Sequence, residues 1–248
     1  MTVRRSPFRL LAIFIYMLVT FGTCVAAAAV GTVTRVQKQA QIGSATAVEG
    51  TPVNMNDEIR TGPGARLEIT FRDETSLTLG ENARMVVDRY VYNPNTSTGA
   101  LALNASQGAF RFATGKLGKM RNKDVKVTTP SAALAVRGTV FWAGFIDLQY
   151  GVLLLSKTGK VDVSNSVGAV TLASPGEGTD IPPTFKDNYG PLDPYLWPED
   201  KVARALAMTS FGLALGPEIL APAAILGAFA FSQNDGNDPP RRLRPASP

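Results

Sequence analysis

The residue types that most often carry catalysis are scarce in this chain, which has no histidine and a single cysteine, Cys24. Without an imidazole there is no Ser-His-Asp arrangement, no general base poised near neutral pH and no supply of the commonest transition-metal ligand. Cys24 lies inside an N-terminal apolar run, which takes thiolate catalysis and cysteine-based metal sites out of consideration. Adjacent carboxylates remain: Asp57-Glu58, Asp73-Glu74 and Glu199-Asp200. Neighbouring residues of a strand point to opposite faces, and acids in turns are ordinarily solvated, so none of these pairs has the spacing of a general acid/base couple. No calcium-loop spacing is present, and the sequence calls for no catalytic residue, no metal and no cofactor.

Anion contact is the other chemistry on offer. Gly115-Lys116-Leu117-Gly118-Lys119 shares glycines and a lysine with a phosphate loop, but the spacing differs and Met120 stands where Ser or Thr is required. Lys116, Lys119, Arg121 and Lys123, followed by Lys126, form a basic loop that could meet an anionic glycan, a lipid headgroup or an acidic protein face. The plainer reading is a solvated loop. The formal charge of +5 says little about the interior, because Arg4, Arg5 and Arg9 precede the first apolar run and Arg241, Arg242 and Arg244 follow the last. Without those six, 19 basic residues face 20 acidic ones, and nucleic-acid binding loses its electrostatic basis.

The elements that must position these groups are strands. Leu67, Ile69 and Phe71 alternate with Arg66, Glu68, Thr70 and Arg72, and after Asp73-Glu74-Thr75 the period of two resumes with Leu77 and Leu79 against Ser76 and Thr78. Such alternation predicts a β-hairpin with one buried face, entered through Thr61-Gly62-Pro63-Gly64 and left through Gly80-Glu81-Asn82. Residues 32–42 read as one further strand, and residues 43–56 as a turn. Tyr90-Val91-Tyr92, the polar loop 93–99, Leu101 and Leu103, Phe110 and Phe112, Val125 and Val127, and the runs 136–141, 152–155 and 161–163 continue a series of short strands separated by turn signals. The economical fold is all-β, a sandwich or short β-solenoid; no fixed-period repeat is visible.

Two blocks of this pattern resemble the FecR domain, the extracytoplasmic part of iron-dicitrate-type signalling regulators. Asp57, Ile59-Arg60-Thr61-Gly62, an alternating strand and an Asp-led turn make the first block. Thr129-Pro130 with Val136-Arg137-Gly138-Thr139-Val140-Phe141 makes the second, and together they span about residues 40–170. The resemblance implies that Asp57, Thr61, Gly62, Asp73, Thr129, Pro130, Arg137, Gly138, Thr139 and Phe141 are structural. Arg137 sits amid apolar neighbours, and its guanidinium is expected to be satisfied by a carboxylate such as Asp57 or Asp73 or by backbone carbonyls. Where the family carries Asp-Gly-Ser at the hairpin tip this chain has Asp73-Glu74-Thr75, and Glu does not readily take a positive φ, so a type I turn or a longer loop is expected. Family members contact a transporter's signalling domain and control a sigma factor. In such regulators a cytoplasmic region precedes the membrane span, whereas nine residues precede Leu10 here, so the resemblance implies a stand-alone form and does not carry over the iron role.

The two ends have their own signals. Residues 1–30 combine Arg4 and Arg5, the apolar run 10–19 and the small residues 26–29, which reads as a signal peptide; an uncharged stretch of residues 10–30 is also long enough for an uncleaved anchor. Phe21-Gly22-Thr23 before Cys24 lacks a lipoprotein pattern. Residues 173–198 carry six prolines interleaved with Phe185, Tyr189, Tyr195 and Trp197, predicting an ordered strap with no helix and no central strand. Glu199-Asp200 starts a helix. Residues 206–231, with Glu218 near the middle, could anchor the chain in a membrane, and the basic residues 232–248 form a tail on the cytoplasmic side.

The reading is thus a signal peptide (1–30), a FecR-like β domain (31–172), a strap (173–198), a helical apolar segment (199–231) and a tail. It describes a non-enzymatic binding, sensing or envelope-scaffold module, exported to the periplasm or an equivalent extracytoplasmic space and associated with the membrane. Its partner would be an envelope protein or glycan; it binds no nucleic acid, and a homo-oligomer stays open. The alternative is a carboxylate-dependent enzyme acting on envelope polysaccharide or peptidoglycan.

Overall fold

The computed structural model describes residues 28–183 and 189–211. Most of the signal segment with Cys24, Phe185, Glu218, the run 212–231 and the basic tail lie outside the described residues. In chain order the strands are β1 (Gly31–Gln37), β2 (Ala40–Ile42), β3 (Ala45–Thr46), β4 (Pro52–Val53), β5 (Glu58–Thr61), β6 (Arg66–Phe71), β7 (Ser76–Leu79), β8 (Arg84–Asn93) and β9 (Thr98–Gln107). After these come β10 (Phe110–Ala113), a 3-10 turn (Lys116–Lys119), β11 (Asn122–Thr128), β12 (Ala133–Arg137), β13 (Val140–Ile146) and β14 (Gln149–Leu154). The described chain ends in β15 (Lys160–Ser164), β16 (Ala169–Leu172), β17 (Glu177–Ile181), β18 (Tyr195–Leu196) and one helix, α1 (Glu199–Thr209).

The strands form two nine-stranded sheets. Sheet A has the order β18-β17-β14-β13-β10-β7-β6-β1-β4, and sheet B the order β16-β15-β12-β11-β9-β8-β5-β2-β3. From β6 onward the chain alternates between sheets, mostly two strands at a time. Because β10 crosses to sheet A alone, β9 and β11 run parallel, while the other pairings are antiparallel. Leu67, Ile69 and Phe71 of one sheet and Ile59, Met85, Val87, Leu101 and Leu103 of the other belong to a single buried cluster, so the sheets are the two layers of a sandwich. The alternation in β6 is met residue for residue: Leu67, Ile69 and Phe71 are buried and Arg66, Glu68 and Thr70 are not. Phe141 packs at 5.9 Å from Phe110 and 5.5 Å from Phe112, and each such fully buried ring contributes about 1.5–3 kcal/mol.

Several local features differ from the sequence reading, among them that residues 43–56, read as a turn, contain β3 and β4. Residues 32–42 are two strands in different sheets, broken at Lys38, whose φ is +58°. Glu74 does adopt the left-handed conformation, φ +67°; its N–H closes a turn to the carbonyl of Phe71, and Phe71 N–H pairs with Thr75 O at 2.9 Å, a three-residue loop with the left-handed residue last. Within the proline-rich segment β17 is an internal strand between β14 and β18, which is possible because Glu177-Gly178-Thr179-Asp180-Ile181 itself lacks proline. The strap's Trp197 is buried, and Val30, at the edge of the expected signal segment, is a core residue whose N–H bonds Val53 O at 2.8 Å.

Helix α1 starts at Glu199 as its acids predict, and it lies on the outer face of sheet A. Ala205 and Leu206 join Trp142, Leu153, Leu155 and Trp197 in a second cluster. Strand β13 is therefore covered on both faces, Phe141 inward and Trp142 outward. Leu206, expected in a membrane segment, belongs to this packing. Among the described residues no helix is long and apolar enough to cross a membrane.

Candidate functional site

The motif residues fall into local knots at turns, and Asp73 ties the tightest one. Its buried carboxylate accepts from Thr75 Oγ1 at 2.5 Å, Tyr90 Oη at 3.0 Å and the Leu117 N–H at 3.2 Å, while its carbonyl accepts from Lys116 N–H at 2.7 Å. The hairpin tip of sheet A is thereby bound to the 3-10 turn and to Tyr90 of sheet B. Burial, and then the Asp73 charge, push the Tyr90 phenol well above its ordinary range, so it stays a neutral donor. With its bonds satisfied inside the fold, Asp73 is not placed to exchange protons with a ligand, although Asp73-Glu74 is one of the three carboxylate pairs in the sequence.

The other motif residues do similar work. Asp57 accepts from the Asn54 N–H at 2.7 Å ahead of β5. Thr61 donates to Gly80 O at 2.6 Å and accepts from Ala83 N–H at 2.8 Å, and Gly62 N–H bonds Gln39 O at 2.9 Å. Thr129, with Pro130 next to it, closes the β11–β12 turn by donating to Ala132 O at 2.8 Å. Gly138 takes φ +67° between β12 and β13, and Thr139 shares hydrogen bonds with Thr114 and Ser156. Arg137 departs from expectation. It is not buried and meets neither Asp57 nor Asp73; its exposed guanidinium pairs with Asp162 of β15 at 2.8 Å, because odd and even positions of β12 face opposite ways and Val136, not Arg137, points inward.

The basic loop does not form one cluster. Lys116 is paired with Glu74 at 2.5 Å and the Lys123 ammonium donates to the Gly118 carbonyl, although these two, like Lys119, Arg121 and Lys126, are exposed. Among the described residues no group of three or more His, Cys, Asp or Glu side chains is arranged to hold a metal ion.

A feature that periodicity did not disclose lies where α1 and the strap meet sheet A. Lys201, 10% exposed, donates to Asp180 at 2.7 Å and to Tyr195 Oη at 3.0 Å, and its ammonium sits 4.1 Å from the Trp197 ring. Burial alone would lower the Lys201 pKa; the bonds to Asp180 and Tyr195 outweigh it and the net shift is upward. Farther along α1, Arg204 pairs with Asp147 in the two-residue β13–β14 turn. Next to that pair a groove of about 770 Å³ is lined by Phe145, Ile146, Leu148, Pro183, Ala207 and Met208. Asp147 and Leu148 have φ of +50° and +63°, a turn in which Asn-Gly is the favoured pair, and Leu148 is 87% exposed. The only signal of this site in the sequence is the composition of Asp147-Leu148, too short a piece to be read.

Comparison with known proteins agrees with the motif blocks. The family model described as FecR protein matches residues 57–162. Two crystal structures of a "putative anti-sigma factor" from Parabacteroides distasonis are similar at 22% and 21% identity, with TM-scores of 0.41 and 0.42. Each alignment covers 54% of this chain and 58% of the other, so little more than half of those proteins is represented. No curated protein matches the chain.

Proposed function

We propose, on the premise that residues 57–162 are a FecR domain, that this protein is an exported, non-enzymatic sensing module that relays binding of an envelope partner. The observation that carries the reading is where the polar side chains of the motif go. Asp73, Thr61, Thr129 and Thr139 all hold backbone turns and neighbouring side chains, so the motif builds a rigid scaffold and leaves recognition to the exposed loops. The partner is an envelope protein or glycan. Retention at the membrane falls to residues 212–231, since Leu206 and Thr209 are packed on sheet A, and a cleavage site for export falls before Val30, which the core needs.

Reporter fusions after Leu172 should give export-dependent activity, and the protein should stay with membranes through high salt and carbonate. A cytoplasmic signal from the Leu172 fusion, or complete release by carbonate, overturns the corresponding half of this reading. The carboxylate-enzyme alternative is tested by turnover on glycan and peptidoglycan substrates. Hydrolysis that a single Asp or Glu substitution abolishes, with the fold intact, would replace the sensing role.

A further inference from the structure

The two ends of the sandwich differ in chemistry. Strand pairing places Phe71, Ser76, Ala113, Val140 and Leu154 at one end of sheet A and Arg66, Leu79, Phe110, Ile146 and Ile181 at the other. Chain continuity assigns the loops accordingly. At the first end lie Glu74, the polar 93–98 turn, Lys119, Arg121 and Lys157, together with the exposed Leu196 and Met55, and Val30 enters there. At the second end the β13–β14 tip exposes Phe145 and Leu148, at 52% and 87%, and the β15–β16 tip exposes Val167 at 53%. Helix α1 runs along that same end, from Lys201 beside Asp180, past Arg204 at Asp147 and Ala207 at Arg66, to Phe211 against Arg35 at 4.5 Å.

The described chain therefore leaves the domain at the end that carries the apolar tips. The next residues in sequence, 212–231, are an apolar run whose one charged residue is Glu218. Charge at this end is mixed: Lys38 and Arg66 are set against Asp147 and the exposed Glu81, which accepts from the Gly64 N–H. Leu148 keeps a left-handed backbone that Gly or Asn would hold without strain, and almost none of its side chain is covered within the domain.

We propose that this end is a lipid-docking surface: Leu148, Phe145 and Val167 enter the headgroup–acyl boundary of a bilayer at the same end of the sandwich from which residues 212–231 depart, so that the domain stands end-on with the Glu74 and Lys119 loops outermost. The proposal rests on the membrane retention argued above and adds an orientation to it. A partner would then be met at the Glu74 and Lys119 end, away from the lipid.

The test uses the full chain with Cys24→Ser and one new cysteine, Leu148→Cys, Val167→Cys or Asn95→Cys, carrying an environment-sensitive dye. Vesicles of phosphatidylethanolamine and phosphatidylglycerol contain a lipid-borne quencher. The expected result is flotation of all three proteins, with blue-shifted and quenched emission at positions 148 and 167 and unchanged emission at 95. Flotation with no quenching at 148 and 167 overturns the docking surface while leaving membrane retention intact. Failure to float overturns both. Emission at 148 that shifts with protein concentration in the absence of vesicles assigns the surface to a second copy of the chain, and the lipid proposal falls.

Discussion

The indole of Trp197 lies directly on the backbone of Gly178: a Cβ at residue 178 would stand 2.2 Å from Nε1. Gly151 of the adjacent strand gives the same ring room, and Trp142 meets it edge-on at 6.0 Å. The strap is thus seated by the absence of two side chains, which lets an indole reach sheet A and brings Tyr195 and Lys201 onto Asp180.

Gly178→Ala should destabilise the protein by about 1–3 kcal/mol through overpacking, with loss of the buried-tryptophan emission at a lower temperature than wild type. Gly168→Ala is the control, because the nearest atoms to a Cβ there are 3.9 Å away. Equal melting curves for the two variants would show that Trp197 is not what holds the strap.

Removing one partner of the Lys201–Asp180 pair should cost about 3–5 kcal/mol, and replacing both by apolar residues of similar volume much less. Because the folded Lys201 pKa is raised, its stabilisation is complete below the ordinary lysine value of about 10.4 and is lost as pH rises through the folded value. Alkaline titration of wild type should therefore release the strap before the sandwich unfolds. The Lys201→Met protein should lack that early phase.

Asp73 and Arg137 should separate sharply in denaturant titrations. Asp73→Ala orphans the Leu117 N–H, Thr75 and Tyr90 together and should cost about 3 kcal/mol or more. Arg137→Ala removes an exposed pair and should cost under about 1 kcal/mol. A larger loss at Arg137 than at Asp73 would contradict the geometry of both knots.

Leu148→Gly and Glu74→Gly each relieve a left-handed non-glycine residue and should each gain about 1 kcal/mol in stability. Their functional effects should differ. Leu148→Gly should reduce lipid quenching of a dye at position 167, whereas Glu74→Gly, at the opposite end of the sandwich, should not.

What the sequence determined by itself is the part governed by local rules. Alternation of Leu67, Ile69, Phe71, Leu77 and Leu79 specified a hairpin and its buried face, since a period of two leaves one way to hide five apolar residues. Thr61-Gly62, Asp73, Thr129-Pro130 and Gly138-Thr139 were legible as a motif resembling the FecR domain, but of their polar contacts those of Thr129 with Ala132 and Asp73 with Thr75 are local, whereas Thr61 meets Gly80 and Asp73 meets Leu117 across the fold. Acids at 199 and 200 marked a helix start, since negative charge is favourable at a helix N-terminus. The tertiary structure decided everything that rests on long-range pairing. Asp162, not Asp57 or Asp73, became the partner of Arg137 because β12 lies beside β15, a register no local pattern records. Glu74 takes φ +67° as the last residue of a three-residue loop, in a tip whose Asp73 carboxylate reaches Leu117, 44 residues away. The strap hid an internal strand, and Leu206 went to the sheet, because Gly178 and Gly151 left space for Trp197; a glycine in sequence announces freedom, and only the neighbouring layer shows what fills it.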